Sequence, residues 1–368
     1  MRKYKAALIG CGRISYKHIQ AAIDNYTEIE LTSVCDIIEE NAKKKADQYI
    51  QGIRDRGAAA DASVAIYADY KEMLKNEEID LVAIATESGY HAEEAIYCLN
   101  LGKHVLVEKP MALSTTDADR MIAAAQENNV KLGVCHQNRF NAPIQKLRQA
   151  IDEGRFGRLI AGNARILWNR NQDYYDQAPW RGTYELDGGC LMNQCIHDID
   201  LLQWMLGSEI LWVNGEVNNF MHPYIEAEDY GSIQIKFANG AVGNVEGTIC
   251  TFPKNLEETL TIIGEKGIAA IGGLAVNKIE AWRFEDGLDC EEEVIQSHNN
   301  DVENVYGSGH TPVYKDFIEA IKNDRKPYID GADGKIAMEV VLSAYKSSRD
   351  NCRINYPPGE ISTLDFIK

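Results

Sequence analysis

The chain has 368 residues, of which 45% are hydrophobic, and its 38 basic and 56 acidic side chains give a net charge of −18. The length exceeds what one hydrophobic core usually serves, so we expect two domains. The charge argues against nucleic acid or an anionic membrane as a partner. No run approaches the ~20 apolar residues of a membrane span, and the N-terminus has no signal-peptide pattern, so we predict a cytoplasmic protein. The nine cysteines include no Cys-x-x-Cys pair and are interpreted as reduced thiols.

The first motif is a glycine turn between a predicted strand and a predicted helix. A short apolar run ends on Gly10-Cys11-Gly12, and helical spacing follows. Gly10 allows the turn, and Gly12 lets the backbone approach a pyrophosphate, which the free N–H groups of the helix start stabilise. Arg13 and Ile14 lie in this turn and are predicted to contact the cofactor. Ser15 stands where the pattern has Gly or Ala, and we expect a slightly looser helix–strand contact there.

An acidic residue ends the second predicted strand. Asp36 follows the run 29–35 and could accept hydrogen bonds from the adenosine ribose; it lies about 20 residues beyond the turn, the distance typical of dinucleotide sites. A carboxylate would repel the 2′-phosphate of NADP. The sequence therefore predicts NAD as the cofactor, with NADP disfavoured. The alternative is a glycine-rich turn in an unrelated α/β fold.

Strands and helices alternate up to about residue 135, which is typical of a doubly wound parallel sheet of the Rossmann type. The carboxyl ends of parallel strands meet at one edge of the sheet and form the binding crevice. Polar residues at these strand ends are therefore predicted to contact the cofactor, namely Thr86, His91, Glu108, Lys109 and Gln137. We place the dinucleotide-binding domain at residues 1–135.

Residues 136–368 are predicted to form a second domain for substrate binding and oligomerisation. Its strands are separated by few helices, which indicates an α+β domain with an open, largely antiparallel sheet. Asn239-Gly240 between two strands predicts a hairpin with a type I′ turn. An antiparallel sheet with helices scarce on one face would be covered by a second copy, so we expect a homodimer or a homotetramer.

The most informative stretch of the second domain follows Gly188-Gly189. Asn193, His197 and Asp200 recur at spacings of four and three, which places them on one helical face. Three polar groups on one face suggest a site, whereas the alternative is a core histidine satisfied by an Asp. A zinc site is a third interpretation, which the single imidazole and the missing thiolate pair disfavour. We predict no metal.

A loop between residues 165 and 183 is rich in arginine and aromatic residues. Arg165, Tyr175, Trp180 and Arg181 are its candidates for contacting substrate, because arginine binds phosphate and aromatic rings stack on sugars. Arginine and aromatic residues also mark protein interfaces, so an oligomer contact remains an equal alternative.

Together these motifs resemble the Gfo/Idh/MocA family of oxidoreductases. The resemblance covers essentially the whole chain, from Gly10-Cys11-Gly12 through Glu108-Lys109-Pro110 to Gly188-Gly189 and His197. It implies a Rossmann domain, an open-sheet second domain, bound NAD(P) and hydride transfer at a sugar carbinol. Lys109 matches the family's active-site lysine and His197 its catalytic histidine. Many members have Asp where this chain has Asn193, so we assign the base role to His197 and substrate positioning to Asn193.

The run from Tyr174 to Thr183 and the Asn193-Gln194…His197 variant resemble the branch that oxidises the 3-hydroxyl of UDP-N-acetylglucosamine or its uronate. We therefore predict oxidation at C3 of a UDP-N-acetylamino sugar. The alternatives are a free aldose or inositol dehydrogenase and a non-catalytic NAD-binding sensor of the same fold. Retention of both Lys109 and His197 argues against the sensor.

Overall fold

The structure is a computed structural model that describes residues 2–58, 63–207, 209–299 and 307–367. The chain divides into two compact units. Unit 1 comprises residues 1–112, 117–135 and 310–334, and unit 2 comprises residues 113–116, 136–309 and 335–368. The chain passes from unit 1 to unit 2 between residues 135 and 136. Residues 310–334, however, return to unit 1, whereas the sequence grouped them with the second domain.

Within the described ranges, unit 1 holds a six-stranded parallel sheet with strand order β3-β2-β1-β4-β5-β6. The strands are β1 (Tyr4–Ile9), β2 (Ile29–Cys35), β3 (Ala65–Tyr67), β4 (Leu81–Ile84), β5 (His104–Val107) and β6 (Leu132–Val134). The helices in this part of the chain are α1 (Ser15–Asp24), α2 (Glu39–Asp55), α3 (Tyr70–Asn76), α4 (His91–Asn100) and α5 (Thr115–Glu127). The strand order reverses at β1, and such a switch point leaves a crevice beyond the strand ends.

The rest of the chain up to residue 299 belongs to unit 2 and contains most of its sheet. The elements in chain order are α6 (Ala142–Asp152), β7 (Leu159–Leu167), α7 (Gln172–Tyr175), α8 (Ile196–Leu206), β8 (Ile210–Asn218), β9 (Tyr230–Phe237), β10 (Val242–Thr248), β11 (Glu257–Gly264), β12 (Gly267–Gly272), β13 (Lys278–Phe284) and α9 (Glu291–His298). The last elements are α10 (His310–Lys322), α11 (Gly331–Asp350) and β14 (Ile354–Asn355).

In the described residues the sheet of unit 2 has eight strands in the order β13-β12-β11-β7-β10-β9-β8-β14. Only the pair β7 and β10 is parallel among its described pairings. The predicted fold class, a Rossmann sheet followed by a largely antiparallel sheet, is therefore confirmed.

The predicted hairpin joins β9 and β10, but its turn is not type I′. Gly240 has a φ of +94°, whereas Asn239 is absent from the described residues with positive φ. The N–H of Phe237 donates to the Ala241 carbonyl at 3.1 Å, and the N–H of Gly240 donates to the Phe237 carbonyl at 3.1 Å. The loop thus has three residues, 238–240, which fits a type I turn followed by a left-handed glycine.

Helix α8 packs on one face of the unit 2 sheet because glycines in the strands leave room for it. A Cβ at Gly162 would lie 2.7 Å from the Leu202 side chain, and one at Gly247 would lie 2.6 Å from the Cys195 sulfur. This close approach places the turn before α8 against the middle of the sheet.

The C-terminal return to unit 1 places α10 against α1 and β6. The Asp24 carboxylate accepts a hydrogen bond from the Thr311 hydroxyl at 2.7 Å, and the Val134 N–H donates to the Ile329 carbonyl at 3.1 Å. A Cβ at Gly133 would meet the Phe317 ring at 2.9 Å. Among the described helices, none has the length and apolar character that a membrane crossing needs.

Candidate functional site

The glycine turn that ends β1 has the geometry expected of a phosphate-binding loop. Gly10 has a φ of +87°, and a Cβ at this position would lie 2.5 Å from the Ala85 carbonyl carbon. Only glycine fits there. At Gly12, by contrast, a Cβ would meet no protein atom within 4 Å. The backbone at Gly12 is therefore open to a ligand.

Ser15 makes a hydrogen bond within the turn. Its side chain is buried, and its hydroxyl donates a 2.6 Å hydrogen bond to the Gly12 carbonyl. This bond ties the turn to the first residue of α1. Arg13 is exposed and Ile14 is half-buried, so both flank the open side of the turn.

Asp36 joins the end of β2 to the glycine turn. Its Oδ2 accepts the N–H of Cys11 at 2.8 Å, and its Oδ1 accepts the N–H of Ile38 at 2.8 Å. A carboxylate has lone pairs beyond these two bonds, and a ribose could use them. The next residue, Ile37, is 87% exposed. Sequence reasoning missed this apolar surface, and its only sequence signal is an isoleucine directly after the acid.

Thr86 and His91 hold the loop that follows β4. The Thr86 hydroxyl donates to Glu94 Oε2 at 2.7 Å, and burial raises the pKa of Glu94 to about 7. The buried His91 ring lies with Nδ1 2.8 Å from the Pro110 carbonyl and Nε2 3.1 Å from the Thr86 carbonyl. These side chains therefore support the loop, and their contact with a cofactor stays a prediction.

Glu108 is buried at the end of β5, and Lys109 beside it is half-buried. The Glu108 Oε1 atom accepts hydrogen bonds from His18 at 3.0 Å and from His310 at 2.8 Å. Sequence reasoning missed both histidines. His18 follows the glycine turn and could have been noticed, but the partner at position 310 is too distant in the chain for any local pattern to indicate.

In unit 2, a π-helical turn, Leu191–Cys195, leads into α8. Such turns are frequent at functional sites. Asn193 and His197 are half-buried, whereas Asp200 is fully buried. Of the three residues on the predicted polar face, Asn193 and His197 are therefore partly accessible, whereas Asp200 points into the interior.

Gln137 contacts the proposed catalytic histidine. Its Nε2 lies 3.3 Å from His197 Nε2. The His136 ring packs edge-on against His197 with 5.6 Å between centroids. Gln137 was predicted to bind cofactor, and the structure places its amide on the histidine.

Arg139 and Asp200 fix the segment after β6 onto α8. Two guanidinium nitrogens of Arg139 donate to the two oxygens of Asp200 at 2.7 and 2.6 Å. Burial alone would raise the pKa of Asp200, but the charge of Arg139 outweighs it and lowers that pKa. The guanidinium also lies 4.8 Å from the Trp204 ring centroid. This buried ion pair was missed because only the fold brings the two residues together.

Asn193 is oriented by Asp187 on the preceding loop. The Asn193 amide donates to Asp187 Oδ1, and Asp187 Oδ2 accepts the N–H of Gly182 at 2.7 Å. The same aspartate thus connects the start of the helix to the arginine-rich loop.

A buried carboxyl group closes the start of this helical segment. Glu228 Oε1 accepts the N–H of Leu191 at 2.8 Å and the hydroxyl of Tyr345 at 2.9 Å. A Cβ on Gly189 would overlap Glu228 Oε2. Burial raises the pKa of Glu228 to about 8, so this carboxyl is largely protonated at neutral pH.

Arg181 and Arg170 lie among the aromatic residues of the loop. Arg181 stacks 4.5 Å from the Trp180 and 4.5 Å from the Tyr174 ring centroids. Arg170 lies 4.7 Å from the Trp168 centroid. Stacking of this kind orients guanidinium groups. Arg181 Nη1 also donates to the Tyr174 hydroxyl at 2.7 Å, and Arg170 Nη1 donates to the Asn169 carbonyl at 2.7 Å.

The other two predicted loop residues are placed differently. Arg165 lies on the sheet surface and pairs with Glu246 at 3.1 Å and Glu257 at 3.0 Å. Tyr175 is buried, so it supports the loop from within. Arg165 could bind an anion only by giving up these carboxylates.

Comparison with known proteins bears on the identity of the chain. Residues 4–136 match the oxidoreductase family with an NAD-binding Rossmann fold, and residues 144–270 match the GFO/IDH/MocA C-terminal domain. The WlbA dehydrogenase from Bordetella pertussis, solved with NADH and UDP-GlcNAcA, is 37% identical, with a TM-score of 0.86 over 97% of this chain and 98% of that one. The chain belongs to the Gfo/Idh/MocA family. It is an oxidoreductase whose N-terminal Rossmann domain binds NAD.

Two sequence relatives widen the range of chemistry in the family. The scyllo-inositol 2-dehydrogenase (NAD(+)) of Bacillus subtilis (strain 168) is 25% identical over 94% of this chain and 94% of its own length. A 1-carboxy-3-chloro-3,4-dihydroxycyclohexa-1,5-diene dehydrogenase of Comamonas testosteroni is 33% identical over 186 residues, which are 50% of this chain and 45% of that protein. The match thus spans less than half of the latter relative.

Proposed function

We propose that this oxidoreductase transfers a hydride between NAD and C3 of a UDP-N-acetylamino sugar. The observation that carries the proposal is the 37% identity, over nearly the full length of both chains, to a dehydrogenase solved with NADH and UDP-GlcNAcA. UDP-N-acetylglucosamine and its uronate are the first candidate substrates.

In the proposed reaction the C3 hydrogen leaves as a hydride to NAD⁺, the hydroxyl proton goes to His197, and the carbinol becomes a ketone. Gln137 supports this role because its side-chain amide contacts the His197 ring, 3.3 Å from Nε2, and orients it. Lys109 donates a hydrogen bond to the same substrate oxygen and stabilises its developing negative charge. Asn193, held by Asp187, positions the sugar.

A diphosphate needs local cations in a chain of net charge −18. Arg181 and Arg170 are the best placed for this, because aromatic rings orient both of them. Trp180 offers a surface for a sugar or base. Arg165 contributes less in this proposal, because two carboxylates already neutralise it.

A free polyol is the second candidate substrate. The match to an inositol dehydrogenase over 94% of both chains supports it. Inositol carries no phosphate, so in this case the arginine-rich loop would serve as an oligomer contact instead. A panel test separates the two candidates. NADH formation would be followed with UDP-N-acetylglucosamine, its uronate, free N-acetylglucosamine, glucose and myo-inositol. We expect turnover with a UDP-sugar, and turnover with free sugars or inositol alone would refute the proposal.

A second experiment tests the base. We expect His197→Ala to lower kcat at least ~10²-fold, the usual worth of a general base, while the Kd for NAD is unchanged. Asn193→Ala is the control on the same face and should act mainly on the KM of the sugar. Wild-type activity per folded His197→Ala molecule would exclude this histidine as the base.

The oligomeric state forms part of the proposal. The face of the unit 2 sheet opposite α8 carries polar side chains, among them Asn163 hydrogen-bonded to Asn244 at 3.1 Å and the Arg165–Glu246 pair. We expect two copies to pack through these faces into a dimer or a tetramer. A monomeric mass by light scattering at micromolar concentration would contradict this expectation.

A further inference from the structure

Unit 1 contains a buried polar cluster that hydride transfer itself does not require. We call it the Glu108 cluster; its members are His18, Glu108, Cys135, His310 and Tyr314, and all of them are buried. They come from the first helix, two strand ends and the returning helix α10. Buried polar groups are costly unless they are paired, so the arrangement of this cluster calls for a physical account.

Hydrogen bonds within the cluster converge on one carboxylate. The Nε2 atoms of His18 and His310 both donate to Glu108 Oε1, at 3.0 and 2.8 Å, and the Tyr314 hydroxyl lies 2.8 Å from His18 Nδ1. Burial alone would raise the pKa of Glu108, but the bonds from the two histidines outweigh it and hold that pKa well below its usual range. Glu108 is therefore an anion.

The second oxygen of this carboxylate faces the neighbouring residue. Glu108 Oε2 accepts the backbone N–H of Lys109 at 3.2 Å. One residue further on, the Pro110 carbonyl lies 2.8 Å from His91 Nδ1. The backbone on both sides of the Lys109 side chain is thus held by contacts to the buried side chains of Glu108 and His91.

We propose that His18 and His310 are positioning residues for Lys109: they fix the Glu108 carboxylate, which in turn fixes the Lys109 backbone. The inference rests on the proposed catalytic role of Lys109. Transition-state stabilisation requires donors held in place before the reaction, and a lysine side chain has four rotatable bonds of its own. A rigid backbone is the part of its placement that the protein can supply.

The same cluster could be considered a metal site, since one ligand atom from each of His18, Glu108, Cys135 and His310 lies within 4.8 Å of the others. The two imidazole-to-carboxylate distances, however, are those of charge-assisted hydrogen bonds. The hydrogen bonds from the two histidines to Glu108 therefore account for this arrangement without an ion.

The test compares His310→Leu with His310→Gln. Leucine removes the donor, while the glutamine amide can place an N–H near the position of the histidine Nε2. Hydrogen exchange at the Lys109 amide, resolved by fragmentation mass spectrometry, reports the backbone directly. We expect exchange in His310→Leu to rise at least ~10-fold, as for loss of a hydrogen bond to a charged group, with the amides of β4 unchanged. His310→Gln should recover most of the protection.

Kinetics provide the second readout. We expect kcat in His310→Leu to fall by about the same factor as the exchange rate of the Lys109 amide rises, with little change in the KM for NAD. His310→Gln should restore kcat. If His310→Leu does not fold, Glu108→Gln takes its place, because it removes the charge in a side chain of the same shape. We expect the same rise in Lys109 exchange and the same fall in kcat. Unchanged exchange at Lys109 in folded His310→Leu or Glu108→Gln would overturn the inference, as would a stoichiometric metal in the purified protein.

Lys109→Ala separates this inference from the proposed function. If Lys109→Ala retains turnover, the catalytic role of the lysine fails, whatever the exchange data show. If Lys109→Ala loses turnover but His310→Leu keeps both turnover and protection of the Lys109 amide, only the positioning inference fails.

Discussion

Replacing Glu228 by glutamine should change how the stability of the protein depends on pH. Its carboxyl is buried, and one of its oxygens accepts hydrogen bonds from Leu191 and Tyr345. Burial raises its pKa from 4.5 to about 8. The folded state therefore holds a proton that the unfolded state releases above pH 4.5. The free energy of unfolding must fall as pH rises from about 4.5 through 8.

The magnitude follows from the size of the shift. Over the whole window this group contributes roughly 5 kcal/mol, and between pH 6 and pH 8 it accounts for a loss of about 2 kcal/mol. A glutamine keeps the shape and an acceptor oxygen for Leu191 and Tyr345 but cannot ionise. Glu228→Gln should therefore lose about 2 kcal/mol less than the wild type between these two pH values.

Urea unfolding at pH 6, 7 and 8 measures the difference directly. Glu185→Gln is the matched control, because Glu185 is exposed, and we expect it to follow the wild-type curve. A wild type and a Glu228→Gln variant whose unfolding free energies fall in parallel with pH would show that Glu228 is ionised in the folded state, and would refute the reasoning.

Three further predictions concern single contacts. Asp36→Ala should raise the affinity for NADP relative to NAD, measured by fluorescence titration, and a wild type that prefers NADP would contradict the assignment. Asp200→Asn leaves the buried Arg139 guanidinium without its counter-ion, so we expect a loss of about 3–5 kcal/mol of unfolding free energy; a loss under ~1 kcal/mol would mean that solvent reaches the pair. Gly189→Ala places a Cβ on the Glu228 carboxylate and should lower the free energy of unfolding by about 1–3 kcal/mol. The double variant Gly189→Ala/Glu228→Ala should lose less than the sum of the two single variants. Losses of unfolding free energy that simply add would exclude the contact.

The elements of unit 1 could be predicted because their signals are local. Buried parallel strands appear as unbroken apolar runs, and Gly10 and Pro110 mark where two of them end. The three-residue strand β3 (Ala65–Tyr67) was missed because it is too short for any pattern. In unit 2 the strand β9 is recognisable because buried apolar and more exposed polar residues alternate along it.

The candidate site was predictable in its residue types but not in its partners. Lys109 was indicated by the proline that follows it at the end of a strand. His197 was indicated by Gly188-Gly189 and by the helical spacing of the polar residues after them. Their surroundings come from distant parts of the chain: Gln137 contacts His197 from 60 residues away, and His310 contacts Glu108, the neighbour of Lys109, from 202 residues away. Pairings of that kind depend on topology, and no local periodicity records them. Asp200 is buried because the Arg139 guanidinium, from the segment after β6, pairs with it inside the protein, and the sequence does not show that pairing.

The return of residues 310–334 to unit 1 has a consequence for biosynthesis. Domains usually fold in order as the chain leaves the ribosome, with the N-terminal one first. Here the first 135 residues emerge without α10, whose Phe317 covers Gly133, and without the segment that pairs with β6 through Ile329. The nucleotide-binding unit can be completed only after residue 334 has been translated. Until then the surface of its last strand that Phe317 covers in the folded protein stays open to solvent.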